Sequence, residues 1–353
     1  MQPGVGNEWP ALQALADALG GGQLCGLKRL SGGASQETWA FDLQQTGAVQ
    51  ALVLRRSRPG RPAGGGLGAS LAAEFDLIGA AAQAGVPVPR TRLLLRPEHG
   101  LGEGFVMQRL TGETLGRRIV SDARFAAARP GLAHACGQAL ARIHAIPLAA
   151  LPPLPVASAA DALAHHQRWH ASHGTLRPVF QLALQWLHQH LPAPCTPSLV
   201  HGDFRNGNLM IDEAGLVGVL DWELAHRGDA MADLAWLCVN SWRYGRSELP
   251  VGGFGQRDDL FAGYAQAGGR LDEARLQFWA VLGTLKWGVI CDNMAQSWLD
   301  GHDRSVERAA IGRRASETEL DLLELLAEQL APRRASTGSP TMSPVTSPAL
   351  QST

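Results

Sequence analysis

The sequence has almost no excess of charge of either sign and no cysteine pattern typical of a metal site or a disulfide framework. Lysine and arginine total 31 against 32 acidic residues, a net charge of −1 in 353 residues, which does not attract nucleic acid or a membrane surface. No two cysteines have CxxC spacing, which argues against structural zinc and a disulfide scaffold. The five are Cys25, Cys136, Cys195, Cys238 and Cys291. A small-molecule or nucleotide partner is therefore favoured, with no nucleic-acid partner.

Signals for a membrane or for export are also missing. The N-terminus has Glu8 where a signal peptide has basic residues, and the most apolar helical stretch, 276–290, contains Lys286 and is too short to span a bilayer. Residues 332–353 are rich in Ser, Thr and Pro, which predicts a disordered tail. We expect a cytoplasmic protein with no membrane partner, and the sequence leaves its oligomeric state open.

What the sequence does contain is a dense group of polar residues at 199–223, LVHGDFRNGNLMIDEAGLVGVLDWE. The apolar runs 209–211 and 216–220 predict two strands, and the Asp-Glu-Ala-Gly link between them predicts a hairpin. Asp203 and Asn208 precede or open the first strand and Asp221 follows the second. Folding of the hairpin would bring these three side chains together at the same end of the hairpin.

These residue types suit phosphoryl transfer. The amide oxygen of Asn208 and the carboxylate of Asp221 are ligands that Mg²⁺ accepts, with water and phosphates completing its shell. Asp203 is left to orient a substrate hydroxyl and take its proton. The alternative for either aspartate alone is that it caps a turn.

At these residues a family resemblance becomes specific. HGDFRNGN followed by LDWE resembles the HxDxxxxN and metal-binding aspartate motifs of the aminoglycoside phosphotransferase/choline kinase family. The resemblance implies an α+β, bilobal protein-kinase-like fold with a small β-rich N-lobe, a larger helical C-lobe, and ATP and Mg²⁺ in the cleft between them. GDAMADLAW resembles the family's GDPxxDLA segment, so Asp229 and Asp233 are expected to brace the catalytic loop.

The N-terminal part fits this resemblance. Strands are predicted at 27–30, 38–43 and 51–55, a helix at 70–84 and a further strand at 105–110. The resemblance assigns the phosphates to a glycine-rich loop and a braced basic residue, and the adenine to a hinge. The corresponding residues are Gly32, Gly33 and Ser35 in the loop, Arg55 held by Glu74, and Met107 and Gln108 in the hinge. Arginine replaces the family's lysine, and the sequence does not decide between Arg55 and Arg56 for this role.

Four regions follow from these assignments: an N-terminal helix and linker at 1–23, the N-lobe at 24–110, the C-lobe at 111–331 and the tail at 332–353. Within the C-lobe, a helix at 161–173 carries His165, His166, His170 and His173. This histidine face is interpreted as lining the substrate cleft; a metal site at His166 and His170 is the alternative. Glu223 is a further candidate for contact with metal or substrate.

The predicted function is therefore an ATP- and Mg²⁺-dependent kinase acting on a small-molecule hydroxyl. VLRRSRPG, LKWGVICDN and AAIGRRASETELDLLELL resemble a subgroup related to the kinase-like domains fused to some acyl-CoA dehydrogenases. That resemblance implies a hydroxyacyl thioester or another hydroxylated metabolite as acceptor. The alternatives are an aminoglycoside or choline-type kinase and a non-catalytic nucleotide-binding scaffold. A protein kinase is disfavoured because no DFG or APE-like segment is present.

Overall fold

The protein folds into a β-rich N-lobe followed by a larger helical C-lobe, as seen in a computed structural model that describes residues 9–30, 36–57, 68–172 and 176–330. The α+β, two-lobed arrangement predicted from the sequence is present. Gly32, Gly33, Ser35 and His173 lie outside the described residues, as does the predicted tail.

The N-lobe is an antiparallel five-stranded sheet, ordered β1-β2-β3-β5-β4, with one helix on its outer face and one beside its inner face. Its elements are α1 (Trp9–Ala18), β1 (Gln23–Leu30), β2 (Gln36–Gln45), β3 (Ala48–Ser57), α2 (Leu71–Gln83), β4 (Thr91–Leu94) and β5 (Gly104–Gln108). Helix α1 ends at Ala18 and packs on the sheet through Leu15, and β1 begins at Gln23.

Strand β3 shows how the alternation of side chains decides which arginine faces the cleft. Leu52 and Leu54 pack with Leu15 of α1 in the outer core of the sheet. Because successive side chains point to opposite faces, Arg56 lies on the side of Leu54 and Arg55 on the cleft side. Arg56 is buried and its Nη2 donates to Glu37 Oε2 at 3.1 Å.

The C-lobe is built from nine helices and two short strand pairs among the described residues. The helices are α3 (Gly116–Ser121), α4 (Arg129–His144), α5 (Ala159–Ser172), α6 (Pro178–Gln189), α7 (Met231–Leu237), α8 (Arg257–Gln266), α9 (Glu273–Leu299), α10 (Val306–Gly312) and α11 (Ala315–Leu330). The strands are β6 (Ser198–Val200), β7 (Leu209–Ile211), β8 (Leu216–Val219) and β9 (His226–Gly228). None of the helices in the described part of the chain is long and apolar enough to cross a membrane.

The predicted hairpin is β7 and β8, paired antiparallel with Leu209 opposite Val219. Strands β6 and β9 form a second antiparallel pair beside it, so the catalytic-loop segment 201–208 leaves β6 and enters β7. The two lobes also share one apolar core, in which Leu77 of α2 and Phe105 of β5 belong to the same cluster as Leu140 of α4. This shared core fixes the sheet relative to the catalytic loop.

Candidate active site

A buried carboxylate holds the backbone of the catalytic loop. Asp233 of α7 accepts hydrogen bonds from the N–H of His201 at 2.7 Å and of Gly202 at 2.9 Å, and it lies 3.2 Å from His144 Nε2. Burial alone would raise the pKa of Asp233, but the hydrogen bonds and charges of the two histidines bring that pKa below its ordinary value. The bracing expected of Asp233 is thus visible as two backbone hydrogen bonds.

Gly202 is required by the turn that aims the next residue. Its φ is +83°, and a Cβ there would lie 2.4 Å from the carbonyl oxygen of Leu224. Only glycine combines this left-handed conformation with so close an approach of two backbone segments. The loop therefore delivers Asp203 in one defined direction.

Three side chains hold the carboxylate of Asp203. Asn208 Nδ2 donates to Oδ2 at 2.6 Å, Arg205 Nε donates to Oδ1 at 2.9 Å, and Trp236 Nε1 donates to Oδ1 at 2.7 Å. Trp236 ends the GDAMADLAW segment and was not predicted as a site residue. Its contact depends on how α7 packs against the loop, for which the sequence offers no signal.

Asn208 and Asp221 meet at the open end of the hairpin. The N–H of Leu220 donates to the carbonyl oxygen of Asn208 at 2.8 Å, which ties the two strands together beside the site. Both side-chain hydrogen bonds of Asn208 use Nδ2, so Oδ1 is the atom that can face a cation. Asp221 has a φ of +65°, a conformation uncommon outside glycine that concentrates at functional sites. The fully buried ring of Trp222 anchors the chain immediately after it.

Arg55 reaches this pair from the N-lobe. Its Nη2 donates to Asp221 Oδ1 at 2.7 Å and lies 3.5 Å from Glu223 Oε2, while its Nε is 3.3 Å from Glu74 Oε2. Gln36 accepts a further hydrogen bond from Nε. Burial would lower the pKa of Arg55, but the three carboxylates raise it above its ordinary value. One guanidinium therefore serves three acidic groups.

The carboxylates in this group carry more negative charge than Arg55 offsets. Burial raises the pKa of Glu74 to about 7 despite the attraction of Arg55. Burial, and then the charge of Asp221, also raise the pKa of Glu223. Such an excess suits a divalent cation. Among the described residues no three His, Cys, Asp or Glu side chains are grouped to hold a metal alone. Phosphates and water would therefore have to supply the remaining ligands.

A cavity of about 410 Å³ lies between the lobes. Its polar lining includes Arg55, Glu74, Asn208 and Asp221, and its apolar lining includes Val53, Ile78, Met107, Val219 and Leu220. Gln108 also lines the cavity. Its backbone N–H is already used in a hydrogen bond to the carbonyl oxygen of Arg90, at 2.8 Å. The cavity thus combines apolar walls with acidic and basic groups, as a nucleotide requires.

A second cavity, of about 540 Å³, lies between α5, α9 and the catalytic loop. Three tryptophans line it, together with His165, His166 and Lys286, so two of the α5 histidines face a cleft beside the loop. His170 instead packs against Phe180, with ring centroids 5.4 Å apart. The histidines of the described residues are not arranged as a metal site. The three tryptophans that line the second cavity are Trp169, Trp236 and Trp279.

Comparison with known proteins agrees with this geometry. Residues 26–279 match the model of the phosphotransferase enzyme family. The chain belongs to this family. This membership confirms the prediction of a phosphotransferase.

Curated relatives of this phosphotransferase include acyl-CoA dehydrogenase family member 10 of Mus musculus, 32% identical over 201 residues, which are 54% of this chain and 18% of that protein. Acyl-CoA dehydrogenase family member 11 of Gallus gallus is 31% identical over 224 residues, which are 60% of this chain and 27% of that protein. The chain therefore spans less than a third of the length of either relative.

Solved structures confirm the kinase-like fold of the phosphotransferase. A Ralstonia eutropha protein described as an aminoglycoside phosphotransferase superposes with a TM-score of 0.73 at 21% identity, covering 90% of this chain and 98% of that one. A choline/ethanolamine kinase family protein from Mesorhizobium loti gives 0.62 at 19% identity, covering 91% and 94%. Aminoglycoside phosphotransferase APH(4)-Ia, bound to AMP-PNP and hygromycin B, gives 0.55 at 17% identity, covering 89% and 98%.

Proposed function

We propose that this phosphotransferase moves the γ-phosphate of ATP, with Mg²⁺, to a hydroxyl group of a small molecule. The observation that carries the proposal is that Asn208 and Asp221 meet the Arg55–Glu74 pair at one interlobe cavity, while Asp203 is hydrogen-bonded to Asn208 beside it. Separate loops and both lobes contribute to this group, and their joint chemistry matches phosphoryl transfer.

In this proposal Asp203 orients the acceptor hydroxyl and accepts its proton. The three hydrogen-bond donors hold the carboxylate of Asp203 in one orientation. Positioning of this kind accounts for much of the rate in phosphoryl transfer. Arg55 binds the phosphates and Glu74 holds Arg55. Met107 and Gln108 flank the base, and Gly32, Gly33 and Ser35 cover the phosphates.

Asn208 and Asp221 are the proposed Mg²⁺ ligands. When bound, the metal neutralises charge on the phosphate oxygens. The fit rests on the amide oxygen of Asn208, the strained and acidic Asp221, and the excess of carboxylate around Arg55. Glu223 is close enough to Arg55 to add to this negative field but is not needed as a ligand.

For the acceptor we propose a hydroxyacyl thioester. Support comes from the two relatives named as acyl-CoA dehydrogenase family members and from the tryptophan-lined second cavity, whose walls suit an apolar chain. An aminoglycoside or choline-type acceptor is the alternative, since one structural neighbour holds hygromycin B. The scaffold alternative is not favoured, because the three central polar residues are all in place.

The nucleotide site is tested by thermal melting with and without ATP and Mg²⁺. The melting temperature of the native protein is expected to rise, since a ligand that binds the folded state stabilises it. Asp221→Asn should lose the Mg²⁺-dependent part of the rise, and asparagine tolerates the positive φ at this position.

Asp203→Asn is the matched control, because it makes the same chemical change on the catalytic loop. It should keep the nucleotide-induced rise and lower turnover by about 10²-fold to 10⁴-fold, the range of general acid–base catalysis. Absence of any shift at saturating nucleotide, or equal mild losses in both variants, would contradict the proposed division of roles.

A further inference from the structure

Lys286 of α9 occupies an unusual place in this chain. The sequence contains two lysines, and the other, Lys28, is exposed on β1. Lys286 lines the second cavity, where its Nζ donates to the carbonyl oxygen of Gly202 at 3.2 Å and lies 4.1 Å from the ring centroid of Trp236. Its ammonium is deep enough that burial lowers the pKa of Lys286. A cation is thus held next to the catalytic loop.

The acidic residues that line this cavity have other partners. Asp233 accepts the backbone hydrogen bonds of His201 and Gly202, and Asp161 accepts from the side chain and backbone of Ser158. Among the described residues no carboxylate forms an ion pair with Lys286. The Gly202 carbonyl uses one of the three ammonium protons, so the others can serve a ligand.

Two more side chains that line the cavity carry a buried polar atom without a hydrogen-bond partner among the described residues. One is Nδ1 of His166, and the other is the indole Nε1 of Trp279, which is a donor only. Burial, reinforced by the charge of Lys286, lowers the pKa of His166 to about 3, so its ring is neutral near pH 7. Buried polar groups are normally paired, and these two belong to side chains that line the same apolar cavity.

Trp236 links this donor group to the catalytic carboxylate. One face of its ring meets Lys286, while its Nε1 donates to Asp203 Oδ1 at 2.7 Å. Lys286 and Asp203 thus contact the same indole ring, so an acceptor oxygen held at Lys286 would lie on the other side of this ring system from Asp203.

We propose that Lys286 is a specificity-determining residue that binds a carboxylate or carbonyl oxygen of the acceptor, so that the kinase accepts neutral or acidic hydroxylated amphiphiles and rejects cationic ones. The inference rests on the proposed function for its reading of the second cavity as the acceptor site. The apolar part of the acceptor lies against Trp169 and Trp279, and the oxygen lies at Lys286.

The test uses three probes of equal chain length, hexanoate, hexan-1-ol and hexylammonium, in the absence of ATP. Because the chain has two lysines, labelling lysine with ¹³C at Cε gives two side-chain NMR signals, and Lys286→Met assigns them. Hexanoate should shift the Lys286 signal and leave that of Lys28 unchanged. Its affinity should exceed that of hexylammonium by about tenfold or more, as expected for a hydrogen bond to a charged group.

Lys286→Met keeps the length of the side chain and deletes its charge. The change in tryptophan fluorescence, to which three cavity tryptophans among the ten of the chain contribute, should show hexanoate binding weakened by about tenfold and hexan-1-ol binding unchanged. Arg168→Met is the matched control, since it removes a positive charge from an exposed residue at the rim of the same cavity. It should preserve the order of affinities.

Equal affinities of the three probes for the native protein would overturn the proposal. So would a Lys286 signal that moves with ATP and Mg²⁺ but not with hexanoate, since Lys286 would then serve the phosphate. The NMR titration uses the native chain and does not depend on the stability of the variant. Neither readout requires phosphate transfer, so a failure here is distinct from a failure of the proposed kinase activity.

Discussion

At the scale of single residues, Arg55 sets the charge balance of the site. Its Nε faces Glu74 while its Nη2 faces Asp221 and Glu223, a division that needs the planar fork of a guanidinium. A lysine ammonium is a point charge and cannot serve both sides in this way. The replacement of the family's lysine by arginine therefore changes how the acidic groups are held.

Exchange of Arg55 and its neighbour for alanine should separate their roles. Arg55→Ala removes the cation that contacts Glu74 and Asp221 in the interlobe cavity. The Michaelis constant for ATP should rise by about tenfold to a hundredfold, which corresponds to the loss of one charge-assisted hydrogen bond. Arg56→Ala breaks the contact with Glu37 on the other face of the sheet and should leave that constant unchanged. Steady-state kinetics at varied ATP measures both, and a larger effect from Arg56→Ala would refute this assignment.

Glu74 should make the stability of the nucleotide-free protein depend on pH. Its pKa is raised from 4.5 to about 7, so between these values the folded state binds more protons at this group than the unfolded state. The stabilising contribution of the protonated form is complete below about pH 4.5 and is lost as pH rises through about 7, with a slope of up to about 1.4 kcal/mol per pH unit.

Urea unfolding of the native protein and of Glu74→Gln, at pH 5 and pH 7.5, measures this contribution. The variant has no carboxyl group to titrate at residue 74 and should gain stability relative to the native protein at the higher pH. If the free energies of unfolding of the two proteins differed by the same amount at both pH values, Glu74 would not titrate in this range.

At the scale of elements, α7 and the catalytic loop act as one unit. Asp233 supplies acceptors to two loop N–H groups, and Trp236, one turn later, supplies a donor to Asp203. The spacing of three places both side chains on one face of the helix, towards the loop. A shift of α7 would therefore move both the loop backbone at His201 and Gly202 and the carboxylate of Asp203.

Removal of the Asp233 carboxylate should damage this unit. Asp233→Ala leaves two buried N–H groups and His144 without their acceptor, and the free energy of unfolding should fall by about 3 kcal/mol or more. Turnover per folded molecule should also fall, with partial recovery in Asp233→Asn. Denaturant unfolding and kinetics on the folded fraction give the two quantities.

Asp229→Ala is the comparison for that experiment. Asp229 accepts from the N–H of Met231 and from Arg275, and within the described part of the chain its hydrogen bonds do not involve residues 201–208. The variant Asp229→Ala should lower the free energy of unfolding with little effect on turnover per folded molecule. If both variants lowered turnover equally, the loss of turnover would come from general destabilisation and not from the loop at 201–208.

The same element shows what the sequence could predict. The hairpin and the convergence of Asp203, Asn208 and Asp221 follow from short spacings within one segment of chain. The bracing role of Asp233 is implied by the resemblance of GDAMADLAW to the family's segment. Trp236 and Lys286 were missed as site residues because their contacts depend on the packing of α7 and α9 against the loop. The direct bond between Arg55 and Asp221 spans 166 residues, and no local pattern encodes it.

At the scale of the whole molecule, the shared apolar core couples the two lobes. Leu77 and Phe105 of the N-lobe are fully buried in the same cluster as Leu140 and Phe204 of the C-lobe. A smaller core, which includes Leu15 and Phe41, belongs to the outer face of the sheet. The inner face of the sheet thus depends on the C-lobe for its burial.

This coupling predicts a single unfolding transition. Calorimetry of the nucleotide-free protein should give one peak, with the calorimetric enthalpy close to the van't Hoff enthalpy. Leu77→Ala should lower the melting temperature of that one peak, since deletion of a buried leucine side chain costs about 2–5 kcal/mol. Two resolved peaks would show that the lobes unfold independently.

The hydrogen bond between Arg55 and Asp221 would affect how a nucleotide binds in the cleft and leaves it. Arg55 belongs to β3 and Asp221 to the turn after β8, so their 2.7 Å hydrogen bond joins the two lobes. On the proposed function, ATP would have to break this hydrogen bond to bind Arg55, and Mg²⁺ would have to displace Arg55 from Asp221. The hydrogen bond would form again once ADP leaves, so it would lower the affinity for nucleotide and favour release of the product.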